Sequence, residues 1–439
     1  MNKKVPLWLL LLTVWLGLML ALTFGWLVWR IQNSRQGVHT KTDRLIFNIA
    51  SFPNLVKKSF AEINKPSTLI APNLFPGING LKTENNYVDS NYLLLSTYDK
   101  RKDQSVAKLI RLANNKVLYE WTPDYASILK LLAGQNKDWP ELNQHNMRLY
   151  HPLLSADGSL IFNNVSSSLI KIDKNSRLVW AVNGIFHHSV EYDADGNIWA
   201  PSLIKPSQYM SGFLNGHRDD ALTKISPEGK MLYRKSVAQL LDENGYRWLL
   251  LGVGTYERDL LHLNDIKPAL TTGKYWAKGD LLISLRNKST IFLYRPATNE
   301  IIWLQTGPWL SQHDVNFIGD DRIGVFGNDV LRDFGEDRLV YGHNNEYIVN
   351  FKTGKTETPY TAFFKNANIA TPSEGRSDFL PNGDLFIEET NNNRLLRGDT
   401  SHIKWQYVDR LDNKTVAALS WSRFVSKEEF KKFTFLANK

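Results

Sequence analysis

The sequence predicts an all-β chain: a six-bladed β-propeller with helical insertions, preceded by one N-terminal transmembrane helix. Three observations predict it. Strand-like units recur over 91–121, 158–181, 196–235, 279–305, 322–359 and 383–408, roughly the 40–50-residue period of a four-stranded blade. A turn followed by an aromatic closing strand recurs within them, as IDKNSRLVW, ISPEGKMLY and RPATNEIIW. A histidine or arginine heads several units: His151 opens HPLLSADGSLIF, His188 HSVEYDADGNIW, His262 HLNDIKPAL, His313 HDVNFIGDDRIGVF, and Arg376 RSDFLPNGDLFI. No unit can bury both faces of its own sheet, whereas six stacked radially can. Two packed β-sandwiches are the competing architecture, and they leave the recurring histidine unexplained.

The elements follow in order. Val5 to Trp29 is uncharged and rich in Leu and Trp, long enough to cross a bilayer with some tilt. It exceeds a signal-peptide core and lacks a small-x-small cleavage site, so residues 1–30 are expected to be an uncleaved anchor. Lys3 and Lys4 precede it and Arg30 and Arg35 follow it; the expectation is an inner-membrane, single-pass protein whose body lies on the periplasmic side. Residues 31–68 read as a stalk, with an amphipathic patch (LIFNIASFPNLVKKSF) forming a short helix. The propeller is expected over 69–425. Two stretches, 125–148 and 236–259, do not alternate like strands and read as helical insertions that wall one face. Residues 426–439 hold a short helix opened by the capping box Ser426-x-x-Glu429, with Phe430 and Phe433 on one side.

Composition narrows the function. Of 439 residues, 43% are hydrophobic and 12% aromatic, enough for a large core. The net charge of +9 comes without a basic run interleaved with aromatics, so no nucleic-acid partner is expected. There is no cysteine, which excludes disulfides, thiolate catalysis and thiolate-bound metals. Neither a Walker loop nor a G-x-S-x-G elbow is present.

In a propeller, a residue just before the innermost strand of a blade points into one mouth of the central channel. His151, His188, His262, His313 and Arg376 are therefore expected to converge. Three or four imidazoles could hold zinc or copper. Arg286 and Arg376, expected in the same region, oppose a dication. Histidine and arginine without a clustered carboxylate suit an oxyanion instead. No metal and no cofactor are thus expected. A quinone-dependent dehydrogenase would need an acidic calcium cluster, and none is evident.

The segments FHHSVEYDADGNIWAPS, LHLNDIKPAL, GDLLISLRNKSTIFLYRPATNEIIW and SQHDVNFIGDDRIGVFGND resemble the bacterial arylsulfotransferase family, over roughly 85–425. The resemblance implies a six-bladed propeller that moves a sulfuryl group from an aryl sulfate to a phenolic or other hydroxyl acceptor. It implies a ping-pong reaction through a sulfohistidine, without a nucleotide donor. His313 in QHD would be the nucleophile, with His188, His262 and Arg286 binding the sulfuryl oxygens. Asn264 would support His262, His187 is the alternative to His188, and Arg376 is a further substrate-binding candidate. Phe326-Gly327-Asn328-Asp329 resembles a permuted form of the family's Asp-Asn-Gly turn. Ser189 stands where an acidic residue is expected, and His151 has no family role. The competing function is a non-catalytic propeller that binds an anionic glycan or a protein partner at the cell envelope.

Overall fold

The computed structural model describes residues 6–33, 42–43, 45–46, 48–52, 68–132, 143–164, 167–207, 209, 217–251, 259–333 and 336–436. Most of the expected stalk lies outside these residues, as do 133–142 and 252–258 of the two insertions. The chain divides into two units, Met1–Pro66 and Ser67–Lys439. The first contains the helix Leu7–Asn33. Its segment Leu7–Ile31 contains an 18-residue window of mean hydropathy 2.3 in which no residue is buried. Such a helix serves a single-pass anchor or a signal sequence equally well.

The second unit is an all-β, propeller-like arrangement of antiparallel sheets. Tight turns set the register of its inner hairpins. Asp193 shows how: its carboxylate accepts the N–H groups of Asp195 and Asn197 at 3.0 and 2.9 Å, while Gly196 takes the left-handed φ of +81° that closes the turn. Leu263–Pro268, Leu281–Leu285, Thr290–Arg295 and Glu300–Thr306 form one four-stranded sheet. Asp314–Ile318, Arg322–Gly327, Asn345–Asn350 and Lys355–Glu357 form another. Arg376–Phe379, Leu385–Glu389, Arg394–Gly398 and Ile403–Val408 follow, with the early strand Gly80–Thr83 added at the outer edge. In a further four-stranded sheet the late strand Arg423–Val425 pairs with Tyr92–Asp99, so the two ends of the unit share one sheet.

One finding departs from six separate blades. The strands between Tyr150 and Ser236 form a single eight-stranded sheet. The joint is narrow, comprising only Ser202 opposite Phe186 and Leu203 opposite Ile185. It arises because Leu178–Phe186 is long, nine residues, and its end runs alongside Ile198–Ile204.

The core lies between sheets, as burial of both faces requires. Leu94, Leu109, Leu160 and Phe162 share one cluster; Leu169, Val190, Ile198 and Ile225 share the next. Trp199, Leu222, Leu263 and Ile283 come third, then Leu282, Leu293, Val315 and Val325. Phe326, Ile387 and Leu396 follow, and Phe386, Trp405, Leu93 and Ile110 return to the first sheet. The helix Val237–Glu243, capped by Ser236, packs into the third cluster. The capping box of Ser426 and Glu429 is formed, and it opens the helix Lys427–Phe430. Phe430 stacks on Tyr92 with ring centroids 3.7 Å apart, which pins the tail to the closing sheet.

Side chains of one sheet also capture backbone N–H groups at the innermost strand of the next. Ser189 Oγ accepts from Ile266, Asp265 from Val315, and Asp314 from Ser377, at 3.0, 3.0 and 3.1 Å. Ser189 thus fills, with a hydroxyl, the slot that aspartate fills elsewhere. Glu388 accepts the N–H groups of Trp421 and Ser422 and is fully buried. Glu388→Leu strands both donors at about 1–3 kcal/mol each. Chemical denaturation is expected to read a loss of about 2–5 kcal/mol, and an unchanged midpoint would refute this role in closure.

Candidate active site

His188 and His262 reach the channel mouth through their backbone. Both, like His151, adopt left-handed φ values, of +56°, +54° and +52° respectively, a conformation uncommon for residues other than glycine and asparagine. His313 does not; Ser311, two residues earlier, takes the left-handed turn at +53°. The histidines therefore do not share one repeat position. The N–H captures make Asp265, Asp314 and Arg376 equivalent, since Val315 and Ser377 follow the latter two directly and each is the residue captured. His313 sits one residue before that mark, as His188 sits one before Ser189, whose follower Val190 is captured by His151, whereas His262 sits three before it. They converge through different local turns.

The convergence is close. Ring centroids of His188 and His262 are 5.1 Å apart, those of His188 and His313 6.2 Å, and those of His262 and His313 6.4 Å. Each ring is held from behind. His313 Nδ1 lies 2.6 Å from Asn328 Oδ1. The Asn328 amide group is already committed, donating to the carbonyls of Thr371 and Glu374 at 2.9 Å each. Its oxygen must therefore face the imidazole, which puts the His313 proton on Nδ1 and the lone pair on Nε2. That lone pair receives only the long 3.3 Å N–H of Glu374. His262 Nδ1 lies 2.6 Å from Asp259. His188 Nδ1 lies 2.9 Å from His187 Nδ1, and His187 Nε2 faces Asp220 at 3.3 Å. His187 Nε2 makes no hydrogen bond there among the described residues, but the Asp220 carboxylate favours a proton on it, and His187 Nδ1 then accepts from His188 Nδ1.

Electrostatics keep His313, His187 and His188 neutral. Burial, then the Arg286 guanidinium and His262, lower His313 to about 3. Burial and the nearby Arg218 lower His187 to about 4. Burial and the neighbouring imidazoles His187, His262 and His313 push His188 well below its ordinary 6.5. Burial alone would raise Asp220, but His187 and Arg218 hold its carboxyl down to about 2.

The remaining expected residues fall in different places. Arg286 follows the strand Leu281–Leu285 and donates to Asn287 at 3.1 Å, with Asp337 3.9 Å away. Its charge acts on His313. Asn264 does not bond to His262; it donates to the Gln312 carbonyl at 2.7 Å, steadying the residue before His313. His187 stands behind His188 as its hydrogen-bond partner. Arg376 is elsewhere: it is 1% exposed and bonds to Asp378 and the Ser422 carbonyl. It belongs to a buried charge network with Asp314 and Glu191, because its place on the strand is one residue past that of His313. His151 accepts from Arg423 at 2.6 Å and from Val190 N–H at 3.2 Å, which is a scaffold role.

A sequence profile of the arylsulfotransferase (ASST) family matches residues 151–410, more than half the chain and all four residues of the cluster. The chain belongs to the arylsulfotransferase family. No curated protein matches it. Solved structures similar to it include a protein of unknown function from Bacteroides caccae, at 12% identity and TM-score 0.46, covering 77% of this chain and 99% of that one. Kuenenia stuttgartiensis hydrazine synthase is 10% identical, with a TM-score of 0.40 over 72% and 79% of the two chains. An inactive virginiamycin B lyase from Staphylococcus aureus is 12% identical, with a TM-score of 0.38 over 79% and 98%. These likenesses carry no argument about the chemistry of this arylsulfotransferase-like protein.

Several residues of the site escaped the sequence. Carboxylates, expected to be missing, stand behind two of the histidines. Asp259 is signalled by its spacing, three residues before His262. Asp220 lies 33 residues from His187 and carries no such mark. Trp421, left-handed at φ +62°, comes within 6.5 Å of His188. Arg218 places a buried Nη2 atom there without a hydrogen-bond partner among the described residues. Long-range proton–nitrogen spectra are expected to show His313 as the Nδ1–H tautomer from pH 7 to about pH 4, as its pKa of about 3 requires. Asn328→Leu should abolish that preference; a dominant Nε2–H signal in the native protein would contradict the assignment.

Proposed function

We propose that the chain is a membrane-anchored sulfotransferase that moves a sulfuryl group from an aryl sulfate to a phenolic or other hydroxyl acceptor through a sulfohistidine on His313. The observation that carries it is the Asn328 clamp, which turns an Nε2 lone pair toward a cluster of two further histidines near a guanidinium. In the first step His313 Nε2 attacks sulfur, the N–S bond forms, and the S–O bond to the aryl group breaks. The phenolate leaves and takes its proton from solvent. In the second step the acceptor oxygen attacks sulfur, the N–S bond breaks, and the acceptor proton passes through a neutral neighbouring imidazole to solvent.

Arg286 stabilises charge that spreads over the sulfuryl oxygens as sulfur is transferred. His262, held from behind by Asp259 at 2.6 Å, stands beside the same oxygens. An arriving sulfate monoester also offsets the positive neighbours that keep His188 neutral, which favours a proton on its site-facing nitrogen. A cavity of about 260 Å³, lined in part by Leu203, Ile204, His217 and Arg218, shares Asp259 with the cluster and suits one aromatic ring.

We further read residues 69–425 as six blades, counting the eight-stranded sheet as two joined at its narrow two-pair seam. Residues 1–30 are then the anchor and 31–68 a stalk that holds the propeller on the periplasmic side.

Nitrophenyl sulfate with a phenol acceptor tests the reaction. The native protein should release nitrophenol. His313→Ala is expected to lose on the order of 10⁴-fold or more, and Arg286→Ala about 10²–10³-fold. No release by the native protein would overturn the donor class, and equal release by His313→Ala would overturn the nucleophile. The pH dependence is a separate check. A nucleophile whose pKa is about 3 is already unprotonated well below neutrality. The burst of nitrophenol should hold level from pH 7 to about pH 4 and decline only below that. A decline centred near 6.5 would contradict it.

A further inference from the structure

We propose that His188, His262 and His313 also form a binding site for one Zn²⁺-class ion, with their three Nε2 atoms as ligands, and that this ion excludes the sulfuryl group. One ring nitrogen from each lies within 4.8 Å of the other two. Zinc–nitrogen bonds of about 2.0–2.1 Å in a tetrahedral site set ligand nitrogens roughly 3.4 Å apart, so side-chain rotations of about an ångström close the trio.

The stronger argument is the shell behind the ligands. A zinc-binding histidine almost always gives its other ring N–H to a carboxylate, a carbonyl or water, which fixes the tautomer and raises the basicity of the ligand. Two of the three rings have such a partner, and the third, His188, has an imidazole in its place. Asp259 holds His262 Nδ1 at 2.6 Å and Asn328 Oδ1 holds His313 Nδ1 at 2.6 Å. His187 holds His188 Nδ1 at 2.9 Å and is itself backed by Asp220. An oxyanion needs N–H groups pointing inward. This network instead turns three lone pairs inward, which is what a Lewis-acidic cation needs.

Charge also permits it. Arg376, one of two cations expected to repel a metal, is locked into its pair with Asp378 away from the cluster. Asp220 and Asp259 set two negative charges behind the ligands, of which Arg218, 3.1 and 3.8 Å from them respectively, offsets one. Arg286 then suits an anionic fourth ligand, such as hydroxide or sulfate. Three imidazoles leave that fourth position open, and thiolates are not required.

The proposal stands apart from the transfer reaction, and its test reads binding directly. Full-length protein without a polyhistidine tag, in detergent and stripped of metal with a chelator, is titrated with Co²⁺. One equivalent should bind with the ligand-field absorption of a low-coordinate nitrogen site, and Zn²⁺ should displace it. Asp259→Asn and Asn328→Leu, with unchanged circular dichroism, should weaken binding about 10–100-fold, and His188→Ala should abolish the absorption. Zn²⁺ should inhibit nitrophenol release and a chelator should restore it. Failure of the native protein to develop the absorption overturns the site, as does equal binding by His188→Ala. Nitrophenol release without Co²⁺ binding would leave the transfer reaction standing and remove the metal.

Discussion

A circle of side-chain-to-backbone hydrogen bonds around the channel is the constraint on which the rest of this structure depends. Ser96 Oγ donates to the Leu149 carbonyl, and His151 accepts the Val190 N–H. Ser189, Asp265 and Asp314 each capture an N–H of the following sheet. Glu388 captures Trp421 and Ser422, and Ser422 Oγ accepts from Ser96. Innermost strands have an edge facing the channel, where neighbouring backbone is out of reach. A buried N–H left there without a partner is costly. Short polar side chains meet that need, and in doing so they set how far each strand start projects into the mouth.

The site is a by-product of that spacing. The histidines lie one to three residues before the strand positions that this spacing sets, and left-handed turns at His188 and His262 aim them inward. Beside Arg286, burial and the neighbouring charged groups keep His188 and His313 neutral. Neutral imidazoles are nucleophiles and metal ligands rather than anion binders. The same pre-set lone pairs carry both proposals, attack at sulfur and coordination of a cation, and each use excludes the other.

The site was partly legible in the chain and partly not. His188, His262, His313 and Arg286 were readable because the repeat marks a place and the QHD, HLN and SLRN segments mark an identity. The repeat position assigned to them was wrong in detail, because turns of different length precede the strands. Arg376 looked equivalent and is not; a shift of one residue along a strand sends a side chain to the other face. Asp220, Arg218 and Trp421 left no local trace, since they meet the cluster only through sheet-to-sheet packing. Six separate blades are expected from the sequence, whereas the end of the nine-residue strand Leu178–Phe186 joins the strands between Tyr150 and Ser236 into one sheet through two residue pairs.

By itself, the sequence determined the all-β class, the apolar N-terminal helix, the capped C-terminal helix and the residue types at the mouth. Each depends on local chemistry: hydrophobic period, turn residues, a capping box within four residues. Only the tertiary structure decided which nitrogen of each histidine faces the channel. That choice rests on Asn328, Asp259 and the His187–Asp220 pair, and Asn328 in turn on the carbonyls of Thr371 and Glu374, more than 40 residues away along the chain. A tautomer is a property of a hydrogen-bond network, and such a network exists only once distant strands have packed.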